Sequence, residues 1–168
     1  MNLQIITIDG PSGVGKGTLA LSLANHLCLN YLNSGSIYRA VAYLSEIENI
    51  NTGDIKEIIS LISILNIRFI TANKEFKIIC NDKDITEEIN NEKCATRASI
   101  ISSNIDVRKS LIGLQRSFYK EPGLIAEGRD MGSVIFKNSQ IKIFLTASNE
   151  IKAQRRHKQL KQKGINVS

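Results

Sequence analysis

The sequence predicts an α/β fold: a doubly wound parallel sheet flanked by helices and interrupted by a small antiparallel β insertion. Three observations predict it. A β-branched run, Ile5-Ile6-Thr7-Ile8, leads through a glycine-punctuated turn into a helix-forming stretch at Leu19, Ala20, Leu21, Leu23 and Ala24. Two later apolar runs, Leu124-Ile125-Ala126 and Ile141-Lys142-Ile143-Phe144-Leu145, alternate with helical periodicities and read as further buried strands. Between the first strand and these two, a pair of strand-like runs joined by a short turn breaks the alternation and marks the insertion.

The elements follow in order. After the first strand comes Gly10-Pro11-Ser12-Gly13-Val14-Gly15-Lys16-Gly17-Thr18. Glycines let backbone N–H groups turn inward and approach an anion closely, and the helix that follows points its positive end at the same place. Lys16 adds a mobile cation. The spacing Gly10-x-x-x-x-Gly15-Lys16 fits a phosphate-binding P-loop, with Gly17 where the motif has a Ser or Thr hydroxyl for Mg²⁺. Thr18, one place later, is then the candidate hydroxyl for the metal. This stretch implies a bound nucleoside triphosphate.

Cys28 to Asn33 reads as a short extended segment ending in turn residues, and Ile37 to Leu44 has helical apolar spacing with Ser36 as candidate N-cap. Arg39 then lies near a helix N-terminus, where it opposes the dipole and calls for an anion. A phosphate, or Glu46 or Asp54, could supply it. Thr52 to Leu65 reads as a helix, and Ile67 to Thr71 pairs with Phe76 to Cys80 across a turn at Ala72-Asn73-Lys74-Glu75. Asn81 to Asp84 reads as a second turn, and Thr86-Glu87-Glu88-Ile89 as a helix start. Glu92 to Ser103 and Val107 to Tyr119 read as helices, the second capped by Asp106 with Arg108 in its first turn. Glu127-Gly128-Arg129-Asp130 follows a buried strand, and polar residues at that end of a parallel strand face the ligand crevice of an open α/β sheet. Asn149 opens a last helix bearing Lys152, Arg155, Arg156, His157, Lys158, Lys161 and Lys163.

Composition narrows the function. The net charge of +6 suits either nucleic acid or small multiply phosphorylated substrates. Aromatic content of 5% with no tryptophan, and basic residues scattered along the chain, favour the small substrates and argue against nucleic acid. No stretch is long and apolar enough for a membrane span, and no signal-peptide pattern opens the chain. Cys28, Cys80 and Cys94 are odd in number and far apart, which suits buried thiols in a reducing compartment, so a cytoplasmic location is expected. His26 and His157 read as structural or surface residues. A donor nucleotide needs only the loop, so the additional cations Arg39, Arg108 and Arg129 suggest a second anionic substrate and phosphoryl transfer to it.

Four stretches carry a family resemblance: Ile8 to Thr18; Asn33-Ser34-Gly35-Ser36-Ile37-Tyr38-Arg39; Gln115-Arg116 with Pro122 to Val134; and Lys142-Ile143-Phe144-Leu145 before the basic helix. On these the chain resembles the bacterial cytidylate kinases, nucleoside monophosphate kinases within the P-loop NTPases. Gly17 agrees with that resemblance, since such kinases commonly carry Gly-Lys-Gly-Thr. The resemblance implies a five-stranded parallel sheet, ATP as donor with Mg²⁺, CMP or dCMP as acceptor, and a monomer. It implies a core over 1–65 and 96–150, a monophosphate-binding β insertion over 66–95, and the opening of a lid over 151–168.

Residue by residue, the resemblance implies that Ser34, Tyr38 and Arg39 line the monophosphate site, with Arg39 on the acceptor phosphate and Arg129 reaching it from the opposite side. Lys16, Arg39 and Arg129 would be the catalytic cations. Ser99, Arg108 and Asp130 would read the cytosine: Asp130 accepts from the N4 amino group, and Arg108 suits the N3 and O2 acceptors. Arg155 and Arg156 would begin the lid over the ATP phosphates. Asn33 and Glu127 stand where the family usually has Asp. The family also continues past Ser168, through the rest of the lid and an Arg-Asp-rich helix, so the resemblance implies a chain shortened at its C-terminus. Two other readings remain open: an ATP-switched nucleic-acid-binding protein, and a P-loop kinase of another small acceptor.

Overall fold

The computed structural model describes residues 4–72 and 75–162. Strand β1 (Gln4–Asp9) runs into helix α1 (Lys16–Leu27), then β2 (Asn30–Asn33) into α2 (Ser34–Ile47) and α3 (Ile55–Ser63). Later come α4 (Glu92–Ser103), α5 (Ile105–Arg116), β6 (Gly123–Gly128), a π-helical turn over Met131–Ile135, β7 (Ile141–Phe144) and α6 (Asn149–Gln162). Parallel pairing gives the order β2-β6-β1-β7. Among the described residues the sheet therefore has four strands, one fewer than expected.

Period-two alternation explains why the central strands are apolar throughout. Leu124 and Ala126 of β6 enter one core with Leu32, Ile37, Val41, Ile58 and Leu111, while Ile125 enters the other with Ile6, Ile8, Ala20 and Ala24. Helices cover both faces, so every residue of β6 is buried. The last strand corrects an expectation. The sequence reads the run from Ile141 as buried, yet among the described residues β7 pairs with β1 alone, and Phe144 is 71% exposed. An apolar run carries no mark of its place in a sheet, and among the described strands this one lies outermost.

The insertion is a separate antiparallel sheet of β3 (Ile67–Ala72), β4 (Glu75–Cys80) and β5 (Lys83–Asp84). The expected hairpin tip at 73–74 lies outside the described residues. The turn expected at Asn81 to Asp84 is partly strand, because Lys83 and Asp84 pair with Cys80 and Ile79. Aromatic packing docks this sheet beside β2: Tyr31 meets Phe76 edge-on at 5.1 Å between centroids, and Phe69 packs on both Phe76 and Phe118.

Local signals were displaced at several helix starts. Asn33, not Ser36, caps α2 and accepts the Ser36 N–H at 2.9 Å. Asp54 caps α3, so that helix starts three residues later than Thr52. Asn104 caps α5 through the N–H groups of Asp106 and Val107, which puts Asp106 inside the first turn. Thr86 to Ile89 forms turns and no helix; the Thr86 side chain is engaged with Asp84 and the Ile78 N–H. Such local bonds compete with helix formation.

Candidate functional site

Three strand ends lie level. The register pairs Asp9 with Gly128 and Asn33 with Glu127, so the carboxyl ends of β1, β6 and β2 form one edge of the sheet. The crevice of an open parallel sheet lies at such an edge.

From β1 the chain enters the glycine loop. Gly10 sits at φ +149, and a Cβ there would lie 2.2 Å from the Leu145 carbonyl oxygen, so only glycine lets the loop leave past β7. Gly13 and Gly15 are left-handed, while Val14 is buried and anchors the loop between exposed Pro11, Ser12 and Gly13. Helix α1 begins after Gly15 with no side-chain cap and no acidic residue in its first turn. Its first N–H groups and its dipole are left for an anion. Lys16 donates to the Pro11 carbonyl at 2.8 Å. Burial pulls the Lys16 ammonium below its ordinary value; attraction by Glu127 opposes that and repulsion by Arg129 adds to it. Thr18 is exposed in the first turn of α1.

Helix α6 lies across this loop. Arg155 donates to the Val14 carbonyl at 2.6 Å, and the Lys152 side chain approaches Gly13. The Arg156 side chain and Lys163 lie outside the described residues.

At the end of β6, Asp130 takes a left-handed backbone (φ +61), which Asp tolerates better than most residues. Its carboxylate pairs with the Arg108 guanidinium from α5. Next in the chain, the Asp9 carboxylate accepts the N–H groups of Met131 and Gly132 at 2.8 and 2.9 Å, tying the π-helical turn to the end of β1. Gly128 lets α2 approach: a Cβ there would stand 2.6 Å from that of Ser34, which is buried against it.

Tyr38 lies within electrostatic reach of the Arg108–Asp130 pair. Burial raises its hydroxyl pKa, with Arg108 opposing and Asp130 reinforcing the shift. Arg39 finds neither acidic partner considered for it, because Glu46 binds Lys93 and Asp54 caps α3. Instead it donates to the Ile89 carbonyl at 2.7 Å and more weakly to that of Asn91, at the entrance to α4. Arg129 is exposed, with no hydrogen bond or ion pair among the described residues. Ser99 stands exposed on α4, and among the described residues no hydrogen bond links it to Arg108 or Asp130. The structure thus brings Arg108 and Asp130 together, with Tyr38 within reach of their charges, and among the described residues joins Ser99 to neither by a hydrogen bond.

Sequence reasoning placed Glu127 at this crevice without giving it a role, and did not single out Asp9 or Tyr31. Glu127 is buried, and burial pushes its carboxyl above the ordinary carboxylate range, against the attraction of Lys16 and a hydrogen bond from Tyr31. It also lies against Gly17. A Cβ at that position would sit at ordinary contact distance, 3.4 Å from Glu127 Oε1 and 3.8 Å from the Tyr31 hydroxyl, so these two groups lie directly behind it. A signal existed: acidic residues closing buried apolar strands, at Asp9 and Glu127.

A family model described as cytidylate kinase matches residues 6–168. The chain is similar to a cytidylate kinase of Nitrosomonas europaea, 44% identical over 167 residues, which cover 99% of this chain and 73% of that one. A cytidylate kinase of Nitrosococcus oceani is 42% identical over 168 residues, covering 99% of this chain and 74% of its own. One from Pasteurella multocida is 44% identical over 164 residues, covering 98% and 72%.

Proposed function

The chain belongs to the cytidylate kinase family, and on that premise we propose that it transfers the γ-phosphoryl group of ATP to CMP or dCMP, on a nucleoside monophosphate kinase architecture. One observation carries the reading best. The level ends of β1, β2 and β6 put an uncapped, glycine-rich helix start on the same sheet edge as a carboxylate–guanidinium pair suited to cytosine.

In this reading the donor half is the glycine loop from Gly10 to Thr18. Backbone N–H groups hold the donor phosphates, and Lys16 exchanges its bond to the Pro11 carbonyl for phosphate oxygens. Lowered by burial, its ammonium gains more from an anion than an exposed lysine would. Arg155 stands over Val14, where α6 can deliver it to the same phosphates with Arg156 beside it in the helix. Residues 151–168 are then the opening of a lid.

The acceptor half uses Ser34, Tyr38 and Arg39 from α2, with Arg129 supplying a second cation for the acceptor phosphate. Asp130 accepts from the cytosine N4 amino group, and Arg108 donates to its N3 and O2; uracil would set a carbonyl oxygen against the same carboxylate. Ser99 is retained as a base contact on the resemblance. The insertion, 66–95, closes the acceptor side, since Ile89 at its exit holds Arg39.

A hard cation prefers oxygen ligands and keeps waters and substrate phosphates. The described residues contain no cluster of three metal-ligating side chains. The exposed Thr18 hydroxyl suits Mg²⁺ arriving with the nucleotide, and its charge would help neutralise the transferring group. No helix among the described residues is long and apolar enough to cross a membrane. The free thiols of Cys28, Cys80 and Cys94 fit a reducing compartment such as the cytoplasm, and a monomer belongs to the same reading.

The test is ADP release with CMP, dCMP, UMP, AMP and shikimate as acceptors. CMP and dCMP should be preferred. Equal rates with every acceptor, or activity with shikimate alone, would overturn the proposal.

A further inference from the structure

A chain of hydrogen bonds beneath the glycine loop joins residues from β2, α2 and β6. Asn33 Oδ1 accepts the Ser36 N–H at 2.9 Å, which fixes the carboxamide orientation and turns Nδ2 to the Tyr31 hydroxyl oxygen at 3.2 Å. With that oxygen serving as acceptor, the single phenolic proton is directed to Glu127 Oε1 at 3.3 Å. Direction along the chain is therefore set: from the helix cap, through the phenol, to the carboxylate. The phenol is held from its other end as well. Tyr31 is buried, and its ring is packed edge-on against Phe76 and beside Phe69.

Glu127 stands where it can matter to the reaction. Its Oε1 lies 3.4 Å from the position of a Cβ on Gly17, and Glu127 is the principal attractive neighbour of Lys16. Lys16 and Glu127 do not form a direct ion pair, so their interaction depends on where the carboxylate is held. A carboxylate displaced by an ångström would change the field at the loop lysine, and sites of this kind lose activity when the supporting groups are loosened.

We propose that Tyr31 is a positioning residue for phosphoryl transfer: oriented by Asn33, its hydroxyl holds the Glu127 carboxylate beside Lys16 and Gly17. The same bonds link the carboxylate behind the donor loop to the start of α2, whose first two turns bear Ser34, Tyr38 and Arg39. This inference rests on the kinase reading above.

Tyr31→Phe tests it, because the ring and its packing stay while the donor is lost. With ATP and CMP varied in turn, kcat should fall on the order of tenfold, the effect expected for one hydrogen bond to a charged group, with both KM values within about twofold. A merely structural role would not give that split. In a Glu127→Gln background the same substitution should cost less than about twofold, because its target charge is gone. An unchanged kcat in Tyr31→Phe, or equal losses in the wild-type and Glu127→Gln backgrounds, would overturn the positioning role alone. A wild-type chain without CMP-dependent turnover would instead overturn the kinase reading and the role of Tyr31 with it.

Discussion

Replacing Asp130 by Asn separates the stability of the Arg108–Asp130 pair from its part in base recognition. Asn tolerates the left-handed backbone at φ +61 as Asp does, so the turn after β6 should keep its shape. Both partners are more than a third exposed, at 45% and 42% of their side chains. Solvent screens such a pair, and its loss should cost no more than about 1 kcal/mol of folding stability. Recognition should change far more. The Asn carbonyl can still accept from the cytosine amino group, but without charge, and its NH₂ can now donate to the uracil O4. Weakening a charge-assisted contact at the reacting substrate costs about 1–3 kcal/mol, so kcat/KM for CMP should fall about fivefold to 150-fold. UMP should improve, and the CMP-to-UMP ratio should collapse. The assay is coupled ADP release with each nucleotide, alongside urea unfolding. An unchanged ratio would remove Asp130 from base reading. A stability loss well above 1 kcal/mol would refute the description of the pair as solvated.

The remaining predictions concern the loop and its support. Glu127→Gln should lower turnover at least about tenfold while making the fold more stable at neutral pH, because a buried charge is replaced by a neutral acceptor. The sign follows from its raised folded pKa: the wild-type contribution is fully present below the ordinary value of 4.5 and is lost as pH rises through the folded value. Melting curves should therefore show the variant's advantage at pH 7.5 shrinking toward pH 4; a pH-independent difference would contradict this. Gly10→Ala should cost at least about 2 kcal/mol in urea unfolding, since its Cβ would meet the Leu145 carbonyl at 2.2 Å. A loss below about 0.5 kcal/mol would mean that β7 does not lie against the loop. Tyr31→Phe completes the set, with its fall in kcat at constant KM.

What could be read from the sequence and what could not divide along physical lines. The strands at Ile5 to Ile8 and Leu124 to Ala126 were legible because burial on both faces demands an uninterrupted apolar run. The same logic reads the run from Ile141 as buried, whereas it is the outermost of the described strands, and an outer strand can carry an identical pattern. Helix bodies were clear from their periodicity, whereas their starts shifted by two or three residues. Ser36, Thr52 and Asp106 are chemically plausible caps, and only the backbone path selects Asn33, Asp54 and Asn104. The glycine loop was legible because its residues are contiguous. The meeting of Tyr31, Asn33 and Glu127 was not, because it depends on the register of β2 on β6 across 96 positions of sequence. For Arg39, local reasoning sought a nearby carboxylate, while the fold supplied backbone carbonyls from the end of the insertion.

Transfer of label from γ-labelled ATP tests the central claim most directly. Phosphoryl transfer to a cytidine monophosphate predicts that the label appears in the β-phosphate of CDP or dCDP, in proportion to ADP formed, with little transfer to UMP. Label released as inorganic phosphate at the same rate with or without CMP would contradict it.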